Sequence, residues 1–444
     1  VEMMREELNT NIAALTGRLG TAPRLLARDW FSRHAFFGPS STNQDTHDLP
    51  FQRWYRFKEA FAPRAVVDAI SKLERVPRTC IDPFGGSGTT ALTTQFLGIR
   101  PTTVEVNPFL ADLIEAKLQS YEPQSLLSSY SEVLDAVAIS TAEPWAMLAN
   151  APRTMVAPGV KGRWIYSAEV AERILTYRSA IEALGNPAHV RLFKVLLGST
   201  LIELSNVIIS GKGRRYRSGW ERRRVHPTQV GRAFQTAFLN ALEDVVRFGD
   251  RPCRDYSLFR GDARIVLSEA DEADFALFSP PYPNSFDYTD IYNIELWMLG
   301  YLRTAEDNRK LRTATLRSHV QIKRSFDAGA SSPLLDRTMF DLSARRDVMW
   351  DKNIPEMVRA YFDDLVVILT TLHDKIVNGG AVMMVVGDSR YAGVSIDVGR
   401  ILVELANDLG FDLADLSSMR SMRSSAQQGG TYDLDETLVH LTKR

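Results

Sequence analysis

The sequence predicts an α/β protein whose sheet is interrupted by a largely helical block. Three observations carry this: a strand–glycine loop–helix–strand–helix run near residues 79–118, helical periodicity through residues 167–248, and a return of short apolar strands after residue 257. The first strand, 79–81, enters the loop 82–90. A helix over 89–97 follows, closed by Gly98, a residue suited to the end of a helix. Thr102, Thr103 and Val104 give the stretch 101–106 its β-branched strand character, and a helix over 109–118 completes the unit. A short helix over 65–73 precedes it.

In the middle block, helices are predicted over 167–184, 188–206 and 228–248, with Leu192, Val195, Leu196 and Leu204 at helical spacing. The later strands are 257–259, 275–278 and 381–386, the last introduced by a turn at Gly379-Gly380. Long helices are expected over 354–377 and 396–409, and a hairpin over 411–444 around Gly429-Gly430. Residues 303–350 are polar and basic and predict a mobile loop region. Residues 8–26 predict a helix and 38–50 a loop. The resulting division is an N-terminal arm (1–50), a first α/β half (51–125), a helical insertion (126–250) and a second α/β half (251–444).

Composition narrows the classes. The chain has 444 residues, 45% hydrophobic and 24% charged, which is ordinary for a globular protein able to bury a large core. A net charge of −1 gives no global attraction to nucleic acid, so any such binding must come from local basic patches. Two cysteines, Cys80 and Cys253, have no metal-binding spacing and predict no metal site. No apolar run is long enough to span a bilayer, and a cytoplasmic, nucleoid-associated location with no membrane partner is the expectation.

Two distant segments carry the chemistry. Asp82-Pro83-Phe84-Gly85-Gly86-Ser87-Gly88-Thr89-Thr90 lies where a strand ends and a helix begins; its glycines let a ligand approach the backbone. It lacks the phosphate-binding lysine of a nucleotide loop and fails the dinucleotide spacing. A glycine loop without a phosphate partner fits S-adenosylmethionine, whose carboxylate can take the helix-end donors and whose ammonium can meet Asp82. Glu105, at the end of the next strand beside Val106 and Asn107, is placed for ribose hydroxyls. Asp262, after a third strand, is placed for an adenine amine, with Phe84 and Pro108 as apolar walls. The second segment is Ser279-Pro280-Pro281-Tyr282, where two prolines end a strand and stiffen a lip bearing a hydroxyl, backbone carbonyls and an aromatic ring. Such a lip suits a flat base with an exocyclic amine: the Ser279 hydroxyl and Pro280 carbonyl would take the amine protons and Tyr282 would stack.

Together the two segments resemble the catalytic and cofactor motifs of the amino-group DNA methyltransferases, which methylate cytosine N4 or adenine N6. The resemblance spans roughly 51–120 and 255–415 and implies a Rossmann-like class I methyltransferase sheet. The segment 57–63, with Phe61, resembles the family stretch over the methionine end of the cofactor. Gly387-Asp388-Ser389 resembles a later family strand near the base. The run 279–288 closely resembles a subset of these enzymes, so Asn284, Asp287 and Tyr288 are expected to line the same pocket. The order of cofactor loop, insertion and lip resembles the family's α arrangement, although Gly261-Asp262 falls after the insertion. Serine at the first lip position is commoner among the N4-cytosine enzymes, so the resemblance favours cytosine over adenine.

Double-stranded DNA is the implied partner, with a cognate restriction endonuclease beside it. The base would have to leave the duplex to reach the lip. Lys212, Arg214, Arg215, Arg217, Arg222, Arg223 and Arg224, interleaved with Tyr216 and Trp220, suit contacts to phosphate. A second set, Arg309, Lys310, Arg312, Arg317, Lys323 and Arg324, follows the lip and is expected to order on DNA, with Arg420 and Arg423 as weaker candidates. Two other readings stand beside this one: an RNA amino-methyltransferase, disfavoured by the lack of a recognisable RNA-binding module, and a catalytically silent DNA-binding subunit, disfavoured by the intact motifs.

Overall fold

The structure is a computed structural model that describes residues 48–57, 62–141, 143–210, 213–284, 286–423 and 432–444. Phe61, Lys212, the 8–26 and 38–47 expectations and Gly429-Gly430 lie outside the described residues.

Eleven strands are described: β1 (Thr79–Asp82), β2 (Arg100–Glu105), β3 (Val207–Ser210), β4 (Gly213–Tyr216), β5 (Ser257–Arg260), β6 (Ala273–Phe278), β7 (Ile376–Gly387), β8 (Ser389–Tyr391), β9 (Val394–Ile396), β10 (Phe411–Arg423) and β11 (Tyr432–Lys443). Seven of them form one sheet in the order β5-β2-β1-β6-β7-β11-β10. Every neighbouring pair from β5 to β7 is parallel, while β11 runs against both β7 and β10. This mostly parallel sheet with helices on its faces is the Rossmann-like architecture the motifs imply. The order reverses between β1 and β6: successive strands leave β1 on one side and β6 on the other. In open α/β sheets the crevice at such a reversal, beyond the carboxyl ends of the strands, is where ligands bind.

Local sequence explains most boundaries. Pro63 and Pro108 start the helices Pro63–Ser71 and Pro108–Leu118, where the missing N–H costs nothing. Gly98, at φ +77°, ends the helix Thr89–Phe96 by donating to the Gln95 carbonyl (3.2 Å). The central strands are buried on both faces: Val104, Phe275, Ala276, Phe278, Val382, Met383 and Met384 are fully enclosed, as parallel strands covered by helices must be.

Two expectations are corrected. Residues 303–350 are not one loop, because they contain the helices Ala305–Ala314 and Pro333–Ala344. Thr304 and Asp307 form a capping box on the first, and Ser332 caps the second just before Pro333. Gly379-Gly380 is not a turn ahead of a strand. It lies inside β7, where Gly379 adopts φ +74° and the register against β6 shifts.

The middle block holds the helices Pro123–Ile139, Ala168–Glu182, Pro187–Leu204 and Thr228–Phe248 together with the β3–β4 hairpin. Its core is continuous with that of the first α/β half: Phe109, Leu113 and Trp54 belong to the same buried cluster as Phe193, Phe234 and Phe238. Asp244, on the helix Thr228–Phe248, is fully buried and ties the two together. It accepts from the Phe51 N–H (2.8 Å), the Trp54 indole (2.9 Å) and the Arg53 guanidinium (2.6 Å). Among the described residues, no helix is long and apolar enough to cross a membrane.

Candidate active site

A cavity of about 360 Å³ opens at the carboxyl ends of β1, β2, β5 and β6, at the reversal of strand order. The loop after β1 and the lip after β6 both line it. Asp82, Pro83, Phe84, Gly85, Gly86, Thr89 and Thr90 come from the first, Glu105, Val106 and Asn107 from the end of β2, Asp262 from the end of β5, and Ser279, Pro280, Pro281 and Tyr282 from the lip. Segments nearly two hundred residues apart thus meet because β1 and β6 pair side by side.

The glycine loop is held by its own hydrogen bonds. Gly85 N–H donates to the Val104 carbonyl (2.9 Å), Gly86 N–H to Glu105 (2.8 Å) and Phe84 N–H to Asp82 (2.9 Å). These three loop donors are therefore committed within the protein. Gly86 sits at φ +51°, and a Cβ there would meet the Phe57 ring at 3.2 Å; one at Gly85 would overlap Thr103 and Ile114. Gly88 (φ +77°) packs on Ile114 and is not part of the cavity wall, so its contribution is the turn itself. Behind the loop, Lys117 is fully buried and donates to the Ser87 carbonyl (2.6 Å) and Gln52 (3.1 Å), its pKa pushed down to about 7 by burial.

Two buried carboxylates face the cavity. Burial pushes Asp82 up to about 7 and Glu105 up to about 7, against the backbone N–H groups that pull each of them down. An ammonium near Asp82 and hydroxyls near Glu105 would offset that burial, so these residues fit the amino-acid and ribose ends of S-adenosylmethionine. Asn107 caps the helix Pro108–Leu118 by accepting from Phe109 N–H (3.0 Å). Asp262 is differently placed. It caps the short helix Ala263–Val266, and both its oxygens take the Arg264 side chain, at 2.9 and 3.1 Å from Nε. Its carboxylate is thus shared with that arginine, while Asp262 still lines the cavity.

The lip is anchored from the far edge of the sheet. Tyr282 hydroxyl donates to Glu436 Oε1 (2.8 Å), and the Ser279 hydroxyl lies 3.5 Å from the same phenol oxygen. Glu436, on β11, is buried and paired with Arg420 of β10 (2.7 Å). Tyr391 of the β8–β9 hairpin donates to the Pro283 carbonyl (3.0 Å). Asn284 and Asp287 do not line the cavity. Asp287 is buried, accepts from Thr289 N–H (3.0 Å) and pairs with Arg312, and Thr289 takes its place on the wall. Asp388, between β7 and β8, is likewise off the wall and accepts from Val398 N–H (3.0 Å); Val385 of β7 lines it. Phe57, Tyr292, Thr315, His319, Arg420 and Glu436 also border the cavity. Of these, Phe57 stacks on Tyr292 at 5.5 Å with an interplanar angle of 11°. Its signal was its place in the 57–63 segment; Glu436 and His319 carried none.

The basic residues of the insertion fall on β4 and the turn after it. Arg215, Arg222 and Arg224 are exposed. Arg217 is used by the fold, donating to the Ser205 and Ile202 carbonyls (3.2 and 3.0 Å), Arg223 reaches the Glu203 carbonyl (2.7 Å), and Arg214 pairs with Asp290 (3.1 Å) just beyond the lip. The set after the lip is divided, with Arg309, Lys310 and Lys323 exposed and Arg312, Arg317 and Arg324 partly buried. Arg317 is clamped by Asp363 and Asp364, Arg324 donates to the Thr315 and Leu316 carbonyls, and Arg309 pairs with Glu306. This overturns the expectation of a flexible strand waiting for DNA.

The strand order, with its reversal flanked by a glycine loop and the lip, defines a class I methyltransferase, an enzyme that takes its methyl group from S-adenosylmethionine. Comparison with known proteins narrows the class. No family model matches the chain. It is 23% identical over 425 residues to the Type II methyltransferase M.AvaI of Nostoc sp., covering 88% of this chain and 85% of that protein. It is 24% identical over 458 residues to the Type II methyltransferase M.BsoBI of Geobacillus stearothermophilus, covering 90% and 86%. A shorter stretch of 79 residues is 33% identical to M.MjaII of Methanocaldococcus jannaschii, covering 18% and 15%. Among solved structures, the rRNA methyltransferase aviRa of Streptomyces viridochromogenes aligns at a TM-score of 0.31 with 11% identity over 92% of this chain and 95% of that one, an overlap too slight to weigh. Similarity to Type II methyltransferases over most of the length of both chains supports a DNA methyltransferase enzyme.

Proposed function

We propose that the chain is a site-specific enzyme that methylates the exocyclic amine of a base swung out of double-stranded DNA, cytosine N4 in preference to adenine N6. One observation carries the reading: the glycine loop after β1 and the Ser-Pro-Pro-Tyr lip after β6 border a single cavity. S-adenosylmethionine supplies an activated methyl group. Asp82 and Glu105 hold its ammonium and ribose, with Phe57 and Phe84 as apolar walls. An amine conjugated with its ring is a poor nucleophile. The Ser279 hydroxyl and Pro280 carbonyl draw its protons and turn its lone pair toward the methyl, and fixed geometry supplies the rest of the acceleration. Tyr282 stacks on the base, its ring angle set by Glu436.

The block 126–250 is the target-recognition region, and Arg215, Arg222 and Arg224 meet phosphate. The preference for cytosine rests on serine at the first lip position. Relatives named as Type II methyltransferases support a place in a restriction–modification pair with a cognate endonuclease. Long-read sequencing of DNA from a host expressing the chain tests base and context together: N4-methylcytosine at one short motif is expected, lost in Ser279→Ala. N6-methyladenine instead would move the assignment to adenine. Methylation of bulk tRNA and not of DNA, or no cofactor binding by calorimetry, would overturn the reading.

A further inference from the structure

One wall of the cavity is the segment 314–319, held from behind by Arg317 on Asp364 and by Arg324 on the Thr315 and Leu316 carbonyls. The segment gives His319 to the cavity, and that side chain is about 1% exposed. Its Nδ1 lies 3.3 Å from an Arg324 guanidinium nitrogen. A guanidinium only donates, so Nδ1 accepts and the ring proton sits on Nε2. Burial keeps the ring neutral, its pKa pushed down to about 4.

That Nε2–H has no hydrogen-bond acceptor among the described residues. The nearest carboxylate oxygen, Asp287 Oδ1, is 3.9 Å away and already takes the N–H and hydroxyl of Thr289. A buried donor without an acceptor is costly and rare, and calls for a reason. His319 borders the same cavity as a lip whose own groups are acceptors. Cytosine and adenine each carry, next to the exocyclic amine, a ring nitrogen that accepts: N3 of cytosine, N1 of adenine. Thymine and guanine carry an N–H at that place and a carbonyl where the amine would be.

We propose that His319 Nε2–H donates to the ring nitrogen beside the target amine, so that it and the lip together form a donor–acceptor pair that admits amino bases and rejects keto bases. Flipped bases are read along this edge, and a site built to hydrogen-bond a group discriminates strongly against its absence. The inference rests on the methyl-transfer reading above and assigns His319 to the base rather than the cofactor.

The test uses the full chain and duplexes containing its recognition sequence. In one duplex the ring nitrogen is replaced by C–H, as 3-deazacytosine or, if adenine proves the target, 1-deazaadenine. The unsubstituted chain should lose about 10- to 100-fold in kcat/KM on this duplex. His319→Ala should lose a similar factor on the natural duplex, lose nothing more on the deaza duplex, and bind S-adenosylmethionine as before. A deaza penalty equal in both proteins, or no penalty in the unsubstituted chain, overturns the assignment. So does a fall in cofactor affinity in His319→Ala. Should that variant not fold, the unsubstituted chain on the two duplexes still decides. Failure of the unsubstituted chain to methylate any duplex would instead remove the transfer reading, and this inference with it.

Discussion

Arg215, Arg222 and Arg224 in the insertion, and Arg312, Arg317 and Arg324 after the lip, belong to stretches of similar composition. The first three are exposed, although Arg224 also donates to the Glu221 and Arg223 carbonyls, whereas the second three are partly buried and spent on a buried carboxylate or on backbone carbonyls. The difference lies in the partners the chain brings up. Behind the second stretch stand Asp287, Asp363 and Asp364, from the lip and the helix Ile354–Lys375, and a guanidinium next to a buried acid becomes part of the fold. Counting cations in a sequence cannot separate these uses.

The contrast is easiest to break at Arg317. Arg317→Ala leaves Asp364, whose side chain is 2% exposed, with Arg264 and the backbone N–H of residue 317, and should destabilise the chain by roughly 3 kcal/mol. A chemical denaturation midpoint unmoved by this change would abolish the distinction between the stretches. Asp82→Asn offers a reference point away from both. It should weaken S-adenosylmethionine about tenfold at pH 8 and flatten the pH dependence of binding, leaving DNA affinity alone.

The sign follows from burial. Asp82 is raised from 3.8 to about 7, so the folded chain holds a proton that the unfolded chain has lost. Its contribution to the stability of the cofactor-free protein is therefore complete below about pH 4 and lost as pH rises through about 7. Cofactor affinity should run the other way, tightening over the same interval as the carboxylate ionises. Calorimetry at pH 6 and pH 8 reads both. Replacing Arg215, Arg222 and Arg224 together by alanine should lower the salt slope of DNA binding by roughly 3 with no change in melting temperature. An unchanged slope would take the hairpin out of the DNA interface. The smallest effect is expected at Arg309→Ala, whose exposed pair with Glu306 should leave melting and DNA binding alike unaltered.

Much of this molecule was legible because the relevant signals are local. The glycine loop, the acid ending β2 and the proline-stiffened lip are short strings whose chemistry is visible in place, and apolar runs marked β1, β2 and β6. The helices at Ala305–Ala314 and Pro333–Ala344 were missed although Thr304 with Asp307, and Ser332 with Pro333, announce their starts. Weak apolar content behind the first cap reads as loop, whereas Leu335, Met339 and Leu342 gave the second helix an apolar face that was legible. Glu436 and His319 were beyond sequence reasoning for another reason. A glutamate on the closing strand meets Tyr282 only because β11 pairs with β7, and a lone histidine becomes an orphan donor only once Arg324 has claimed its other nitrogen. The commitment of Asp262 to Arg264 is of the same kind, invisible until Asp364 fixes where that arginine lies.

Asp244 gives the insertion a hold on the other half of the molecule. By gathering Phe51, Arg53 and Trp54 it fixes the stretch that leads to Phe57, a few residues on, at the edge of the cavity. On the proposed reading of the insertion as the target-recognition region, a chimaera that transplanted a foreign block into this scaffold would strand three donors unless the graft brought an acid to the same spot. Exchange of sequence preference between such enzymes therefore has to carry a structural password along with its reading surface.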